Sequence, residues 1–303
     1  MSQPSVNEHG RIVAATLTVP ELASAQRLWT QTLRYEVRDQ GVVDGELAMA
    51  WGAPRQAGRP YALLAPASGA DVFVRLVEGK VPADCEPRRS LGWAALELTV
   101  RDVDARYAEL QDSELEILGE PQLLEFTDKI YPMQVATPDQ VVIYLNEVRG
   151  NLPNLDLPQA QCDVDHIFIV ILGAPDLDHA LAFYRDTMGF ETDAPFEIAY
   201  KMINSAFGLD PAQRHRLATT RVGRRVNVEI DQYPAKTPPR PTAPGMLPPA
   251  TAMVSFAVDS LEAIDVPLLG RPVTRDEAPY HGRLAGTCLG PAGELIELIE
   301  WRQ

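Results

Sequence analysis

The sequence contains few cysteines, and their arrangement excludes two kinds of stabilising site. Cys85, Cys162 and Cys288 are the three cysteines among 303 residues, and no two of them form a CxxC pair. Three widely spaced cysteines match neither a disulfide framework nor a zinc–thiolate site. Apolar residues make up 46% of the chain, so a hydrophobic core can hold the fold instead.

Long apolar runs and a positive net charge are also missing, and we expect no secretory signal in the first residues of this sequence. No stretch approaches the roughly 20 apolar residues that cross a bilayer, and the start, MSQPSVNEHGR, lacks a basic flank and an apolar core. The net charge of -15 opposes binding to nucleic acid or to an anionic membrane surface. We expect a soluble cytoplasmic protein with a small-molecule substrate and no nucleic-acid or membrane partner; homo-oligomerisation is left open.

An internal repeat is the clearest feature that the sequence does contain. Residues 174–190 (APDLDHALAFYRDTMGF) and 19–35 (VPELASAQRLWTQTLRY) share an opening pattern that leads into apolar residues at helical spacing. Shorter versions occur at 94–110 and 253–264. Strand-like apolar runs close the units at 71–78, 139–147, 224–232 and 293–300. The pattern predicts four units of strand, helix and several strands, each about 75 residues long.

Three connecting segments separate these units. They span residues 77–90, 148–163 and 233–250, and the last is rich in proline. Proline disfavours regular structure and favours an extended crossing. The second segment is the best candidate for a domain boundary, since a chain of this length suggests two domains.

The stretches PDLDHALAFYRDTMGF (175–190), DHIFIV and GPAGELIEL resemble the vicinal oxygen chelate superfamily of glyoxalases, bleomycin resistance proteins and type I extradiol dioxygenases. The resemblance covers nearly the whole chain. It implies an α+β fold of four βαβββ modules, paired into two incomplete β-barrel domains of glyoxalase type. Consecutive modules are expected to pair, which gives an N-terminal domain of residues 1–150 (modules 1 and 2) and a C-terminal domain of residues 163–303 (modules 3 and 4).

The resemblance also implies metal ligands on the first and last strands of paired modules. The first-strand positions fall near Ala14, near Ala95, at His166 and near Met253, and the last-strand positions fall at Arg75, Tyr144, Glu229 and Glu297. The N-terminal pair thus offers two methyl groups, a cation and a phenol, which cannot hold a divalent ion. We expect that half to be structural and free of metal.

The C-terminal pair offers a different donor set. His166, Glu229 and Glu297 are predicted as a three-donor site for a divalent Fe, Mn, Zn or Ni ion. Met253 stands where extradiol dioxygenases place a second histidine, and a thioether is a poor ligand for such ions, which weakens the ring-cleavage prediction. An alternative for His166 is a structural histidine that is hydrogen-bonded to Asp165.

The two glutamates have alternatives as well. Glu229 shares its strand face with Asn227 and Asp231, so that face could simply be wet. Glu297 has apolar neighbours on its face in GELIELIEW, and a lone buried carboxylate is costly unless it is paired or bound to a metal.

Further candidates for proton transfer are His215, which precedes a strand of module 3, and Tyr280 and His281, which precede a strand of module 4. An imidazole or a phenol suits this role beside a metal-bound enolate or catecholate; solvated loops are the alternative. Three functions therefore compete. The first is a metal-dependent lyase, isomerase or dioxygenase-like enzyme acting on a small oxygen-rich or aromatic substrate. The second is a metal-free protein that binds or sequesters a small molecule, of bleomycin-resistance type. The third is a metal-free enzyme that uses the same cavity with His215 as its base, and the sequence does not separate it from the second.

Overall fold

The computed structural model describes residues 8–82, 85–125 and 127–301. Unit 1 comprises β1 (Ile12–Val19), α1 (Leu22–Arg27), β2 (Tyr35–Val42), α2 (Gly45–Ala50), β3 (Pro60–Pro66) and β4 (Phe73–Glu78). Unit 2 comprises β5 (Gly92–Val100), α3 (Val103–Leu110), β6 (Glu116–Gly119), β7 (Ile130–Ala136) and β8 (Val142–Val148).

The second half of the chain repeats this order. Unit 3 comprises β9 (Val164–Ala174), α4 (Leu177–Asp186), β10 (Glu191–Thr192), β11 (Phe196–Ala199), α5 (Lys201–Phe207), β12 (Arg214–Val222) and β13 (Arg225–Gln232). Unit 4 comprises β14 (Ala250–Val258), β15 (Val273–Arg275), β16 (Arg283–Leu289) and β17 (Leu295–Glu300). The predicted βαβββ repeat is confirmed.

The helices follow the spacing in the sequence, with one exception. In α4, the Asp176 side chain accepts a hydrogen bond from the backbone N–H of His179 and caps the helix, while Leu177, Ala180, Leu181 and Tyr184 are buried. Unit 4 has only a 3₁₀ turn at Leu261–Ala263. Pro267 follows closely, and a proline disfavours helix at the residue before it, so a longer helix cannot form there. None of the described helices is long and apolar enough to span a membrane.

Strand pairing differs from the expected pairing of consecutive modules. β1 pairs antiparallel with β14, and β5 pairs antiparallel with β9. Units 1 and 4 therefore form one sheet (sheet I, order β15-β16-β17-β14-β1-β4-β3-β2), and units 2 and 3 form the other (sheet II, order β10-β12-β13-β9-β5-β8-β7-β6). The expected assembly of residues 1–150 and 163–303 into separate barrels is thus wrong in its choice of partners. The first strand of each unit has an open edge that must pair with another strand. Because the four first strands are similar, the sequence does not indicate which two of them pair.

One hydrophobic core joins the two sheets. Trp93, Leu172, Phe190, Phe256 and Leu298 come from both sheets and pack into a single buried cluster, which we call the shared core. The Trp93 indole N–H also donates to the backbone carbonyl of Leu295, at 2.7 Å, and so links β5 to β17. Each sheet has a second face, which points away from the shared core, and we call it the inner face. Short helices and loops bury the inner face, and it carries the polar residues described next.

Candidate functional site: the inner faces of the two sheets

Strand register identifies four equivalent positions at the centre of each inner face. In each unit, a first-strand residue lies beside the last-strand position that was expected to supply a ligand. In sheet I the pairs are Thr16–Arg75 and Ser255–Glu297; in sheet II they are Glu97–Tyr144 and Ile171–Glu229. The first-strand residues beside the expected last-strand positions lie two positions beyond Ala14, Ala95 and Met253, and five beyond His166.

The centre of sheet I is a buried ion pair whose carboxylate is fully hydrogen-bonded, although Nη2 of Arg75 has no hydrogen-bond partner in the described structure. Arg75 and Glu297 are 3% and 1% exposed, and their nearest charged atoms are 3.6 Å apart. The Glu297 carboxylate also accepts hydrogen bonds from the Trp51 indole N–H (2.8 Å), the Tyr280 hydroxyl (2.8 Å) and the Ser255 hydroxyl (2.5 Å). Every oxygen of this carboxylate is therefore occupied by a protein group.

Aromatic rings complete the enclosure of Arg75. The carbon of its guanidinium lies 5.0 Å from the ring centroid of Trp51 and 5.2 Å from that of Tyr280. Such faces stabilise a cation through the ring quadrupole. Tyr280, predicted as a proton-transfer residue, thus binds Glu297, whereas His281 is exposed and lies 3.4 Å from Asp71.

The centre of sheet II collects acids without a basic partner. Glu97, Glu229 and Asp231 interact electrostatically with one another on the inner face, and in the described part of the chain none of them forms an ion pair with Lys, Arg or His. Asn146 donates to Glu97 at 3.1 Å, and Tyr200 donates to Glu229 at 2.8 Å. Nearby, the hydroxyls of Tyr144 and Tyr200 are 3.1 Å apart.

Burial raises the pKa of all three carboxyls in sheet II. Burial and the charge of Glu229 raise the pKa of Glu97, and burial with Glu229 and Glu97 raises that of Asp231 well above its usual value. Burial raises the pKa of Glu229, although its hydrogen bonds with Tyr200 and Asp231 act in the opposite direction. Asp231 is 2% exposed, and in the described structure its Oδ1 has no hydrogen-bond partner. This group of three acids needs protons or a bound cation, because an unneutralised buried charge is costly.

A small cavity adjoins Asp231. Its volume is 30 Å³, about that of one water molecule, and its lining includes Ala95, Tyr144, Tyr200, Ile171 and Asp231. The residues of α5 that close it are Met202, Ile203 and Ala206. Arg88 also lines this cavity, but its guanidinium is 3.3 Å from Glu116.

His215 holds α5 in place. This histidine is 6% exposed, and its Nε2 lies 2.7 Å from Oδ1 of Asn204 in α5. Because the Asn204 amide donates to the carbonyls of Pro211 and Gln213, its oxygen must accept and Nε2 must carry the proton. Burial lowers the pKa of His215, which favours the neutral ring. His215 therefore positions the helix over the inner face of sheet II.

The structure does not bring the three predicted metal ligands together. Glu297 lies in sheet I, whereas His166 and Glu229 lie in sheet II. Glu229 is level with Ile171, which places it about 16 Å along the sheet from His166. His166 Nδ1 is instead 3.1 Å from Asp165 Oδ1, as in the alternative interpretation. It lines a separate cleft of 550 Å³ between the starts of β1, β9 and β13.

The side chains at the register positions fit a divalent metal poorly. Sheet I places a guanidinium among them, and sheet II offers two carboxylates, a phenol and an alkyl group. In residues 8–82, 85–125 and 127–301, no three His, Cys, Asp or Glu side chains are grouped closely enough to hold an ion.

Sequence reasoning missed three residues of these sites: Glu97, Trp51 and Tyr200. Glu97 carried the most visible signal, because an acid inside the apolar strand AALELTV resembles Glu297 inside GELIELIE. Trp51 lies beside α2, which connects β2 to β3, and Tyr200 lies beside α5, which connects β11 to β12. Nothing in their local sequence indicates that they reach a buried glutamate.

Comparison with solved structures gives the same architecture. Glyoxalase I from Zea mays matches with a TM-score of 0.65 and 14% identity, over 96% of this chain and 92% of that chain. A candidate dioxygenase from Bacillus subtilis matches with a TM-score of 0.61 and 10% identity, over 98% of this chain and 86% of that chain. No protein-family model and no curated protein matches the sequence. The resemblance to the vicinal oxygen chelate superfamily is confirmed at the level of the fold.

Proposed function

We propose that this protein binds a small organic molecule on the inner face of sheet II without help from a divalent metal. The observation that carries this proposal is the group of Glu97, Glu229 and Asp231, three interacting buried carboxyls with raised pKa values, of which Asp231 lines a small cavity. Ionisable groups with strongly shifted pKa values concentrate at functional sites, because binding and catalysis need groups whose pKa values differ from those in water.

Sheet I is the less suitable of the two inner faces. Its central carboxylate is already bound by Arg75, Trp51, Tyr280 and Ser255, and a ligand would have to displace all of them. We assign this face a structural role. The assignment departs from the expectation that modules 3 and 4 together carry the active site, because sheet II combines units 2 and 3.

The metal-dependent activity implied by the resemblance has weaker support. It would need Fe, Mn, Zn or Ni on His166, Glu229 and Glu297, which lie on two different sheets. We therefore expect that protein purified without chelators retains no stoichiometric metal on these residues. Equal metal content in the wild type and in His166→Ala is the expected result; stoichiometric metal that is lost with His166→Ala would revive the metal-dependent proposal.

The binding proposal is tested by thermal shift with a panel of neutral, anionic and cationic aromatic and aliphatic compounds, each with and without EDTA. We expect at least one class to raise Tm, with no effect of EDTA. Ala95→Leu, which fills the cavity, is expected to abolish the shift. Ser205→Ala is the control on the exposed side of α5. A shift that survives Ala95→Leu, or none with any class, contradicts the proposal.

A second candidate function is metal-free proton transfer, as in an isomerase or lyase. Tyr144, Tyr200 and Glu229 form a continuous hydrogen-bonded chain, and burial together with the charges of Glu229 and Glu97 raises the pKa of Asp231 well above its usual value, which favours its protonated form. The measurement is solvent deuterium uptake by small hydroxy and keto acids, followed by NMR. Exchange that is lost in Glu229→Gln supports catalysis, and its absence across the panel leaves the binding role.

A further inference from the structure

Each sheet has a glutamate at the centre of its inner face, but the two glutamates differ in their charged neighbours. Glu297 in sheet I and Glu229 in sheet II occupy equivalent last-strand positions. The other last-strand position of the same sheet is Arg75 in sheet I and Tyr144 in sheet II. Sheet I therefore supplies a cation from its own chain, and sheet II places a neutral phenol at that position.

In sheet I, a guanidinium is bound to the glutamate at the centre of the inner face. The guanidinium of Arg75 faces the Glu297 carboxylate at 3.6 Å and lies against the rings of Trp51 and Tyr280. Carboxylate and aromatic faces together form a common recognition site for organic cations. The protein itself shows which chemical group this geometry accommodates.

Sheet II provides the same kinds of partner and a larger excess of acid. Tyr144, Tyr200, Tyr233 and Asp231 line its cavity. Glu97 and Glu229 interact electrostatically with Asp231 and bring the number of carboxyls to three. Asp231 Oδ1, unpartnered in the described structure, belongs to a side chain that lines this space. Among the described residues, Arg88 is the cation in the cavity wall, and it pairs with Glu116.

We propose that sheet II binds the guanidinium or ammonium head of a small organic cation, which takes the place that Arg75 fills in sheet I. This inference rests on the proposed binding function and names its ligand class. The cavity holds about one water molecule, so α5 must shift to admit a head group of this size. Because a bound cation replaces protons on the acids, binding releases protons and strengthens as pH rises through the raised pKa values of these carboxyls.

Titration calorimetry and thermal shift on the full chain test this inference, with methylguanidinium and butylammonium as probes and methylurea as the neutral isostere. We expect both cations to raise Tm and methylurea to have no effect. Glu229→Gln is expected to weaken cation binding at least tenfold. Glu294→Gln, which alters a buried carboxyl that is hydrogen-bonded to Tyr184 away from this face, should leave the binding unchanged.

A second variant supplies the missing cation from the chain. Tyr144→Arg is expected to abolish methylguanidinium binding and to raise Tm at pH 8, because its guanidinium can pair with Glu229 as Arg75 pairs with Glu297. If Tyr144→Arg folds and still binds methylguanidinium with wild-type affinity, the inference is overturned. Unfolding of Tyr144→Arg leaves the Glu229→Gln result to decide.

The outcomes separate this inference from the function on which it rests. Binding of neutral or anionic compounds alone, lost in Ala95→Leu, keeps the binding function and overturns the cation class. Stabilisation by Mn²⁺ or Zn²⁺, without any response to the organic cations, also overturns it and returns the site to metal binding. No response to any compound defeats both proposals.

Discussion

At the scale of single residues, the Arg75–Glu297 pair makes the strongest prediction. Both groups are nearly fully buried, so removing the cation leaves a carboxylate without its charged partner. We expect Arg75→Met to lower the free energy of unfolding by about 3–5 kcal/mol, measured by urea denaturation. Arg185→Met is the control, because Arg185 pairs with Asp186 on the exposed surface and should cost under about 1 kcal/mol. An equal loss of unfolding free energy in Arg75→Met and Arg185→Met would contradict the stabilising role of the buried pair.

The individual strand positions of the candidate site could be predicted only in part. The last-strand positions, including Arg75 and Glu297, could be predicted because each lies in a regular strand that closes its unit. The first-strand positions could not be placed to the residue, because they are fixed by the register of each first strand against the last strand of its unit. That register depends on how far the two strands are offset along each other, and the local sequence does not encode this offset.

At the scale of elements, α5 is the part of the site that we expect to move. Its seven residues are held over sheet II by Asn204, which joins His215 to the carbonyls of Pro211 and Gln213. We expect Asn204→Ala to increase amide hydrogen exchange across residues 200–208 at least tenfold, with little change in β9. Ser205→Ala serves as the control, since this side chain is exposed. Unchanged exchange in Asn204→Ala would mean that other contacts fix the helix.

Element types were more predictable than their partners. The four βαβββ units followed from repeated strand and helix patterns, such as the buried stripe Leu177, Ala180, Leu181 and Tyr184. The pairing of β1 with β14 instead depends on which open edges meet in space. All four first strands are similar apolar sequences, so periodicity carries no information about that choice.

At the scale of the whole molecule, stability should fall as pH rises from about 5 to 8. Glu97, Glu229 and Asp231 have raised pKa values, and burial raises the pKa of Glu294 to about 7. Folding therefore takes up protons, so the stability from these groups is complete at low pH and is lost as pH rises through their folded pKa values. His215 acts in the opposite direction, because its lowered pKa favours folding at higher pH. Burial also raises the pKa of Asp139 to about 6, so five acids against one histidine decide the sign.

The measurement is Tm as a function of pH for the wild type and for Glu294→Gln. The shift from about 4.5 to about 7 corresponds to roughly 3 kcal/mol, so this variant should flatten the decline visibly. A wild-type Tm that rises steadily between pH 5 and 8 would show that these carboxyls are ionised in the folded state.

The pairing of unit 1 with unit 4 has a consequence for how the chain reaches its fold. Ile12 pairs with Phe256, so closing sheet I requires nearly the whole polypeptide to be looped out first. The ends of this sheet are nonetheless close in space, with the Arg11 guanidinium 4.3 Å from the ring of Trp301. A circular permutant joined there and opened between Glu78 and Gly92 would run unit 2, unit 3, unit 4, unit 1. Each sheet would then arise from one continuous stretch of chain, and its contact order would fall without any change in its strands.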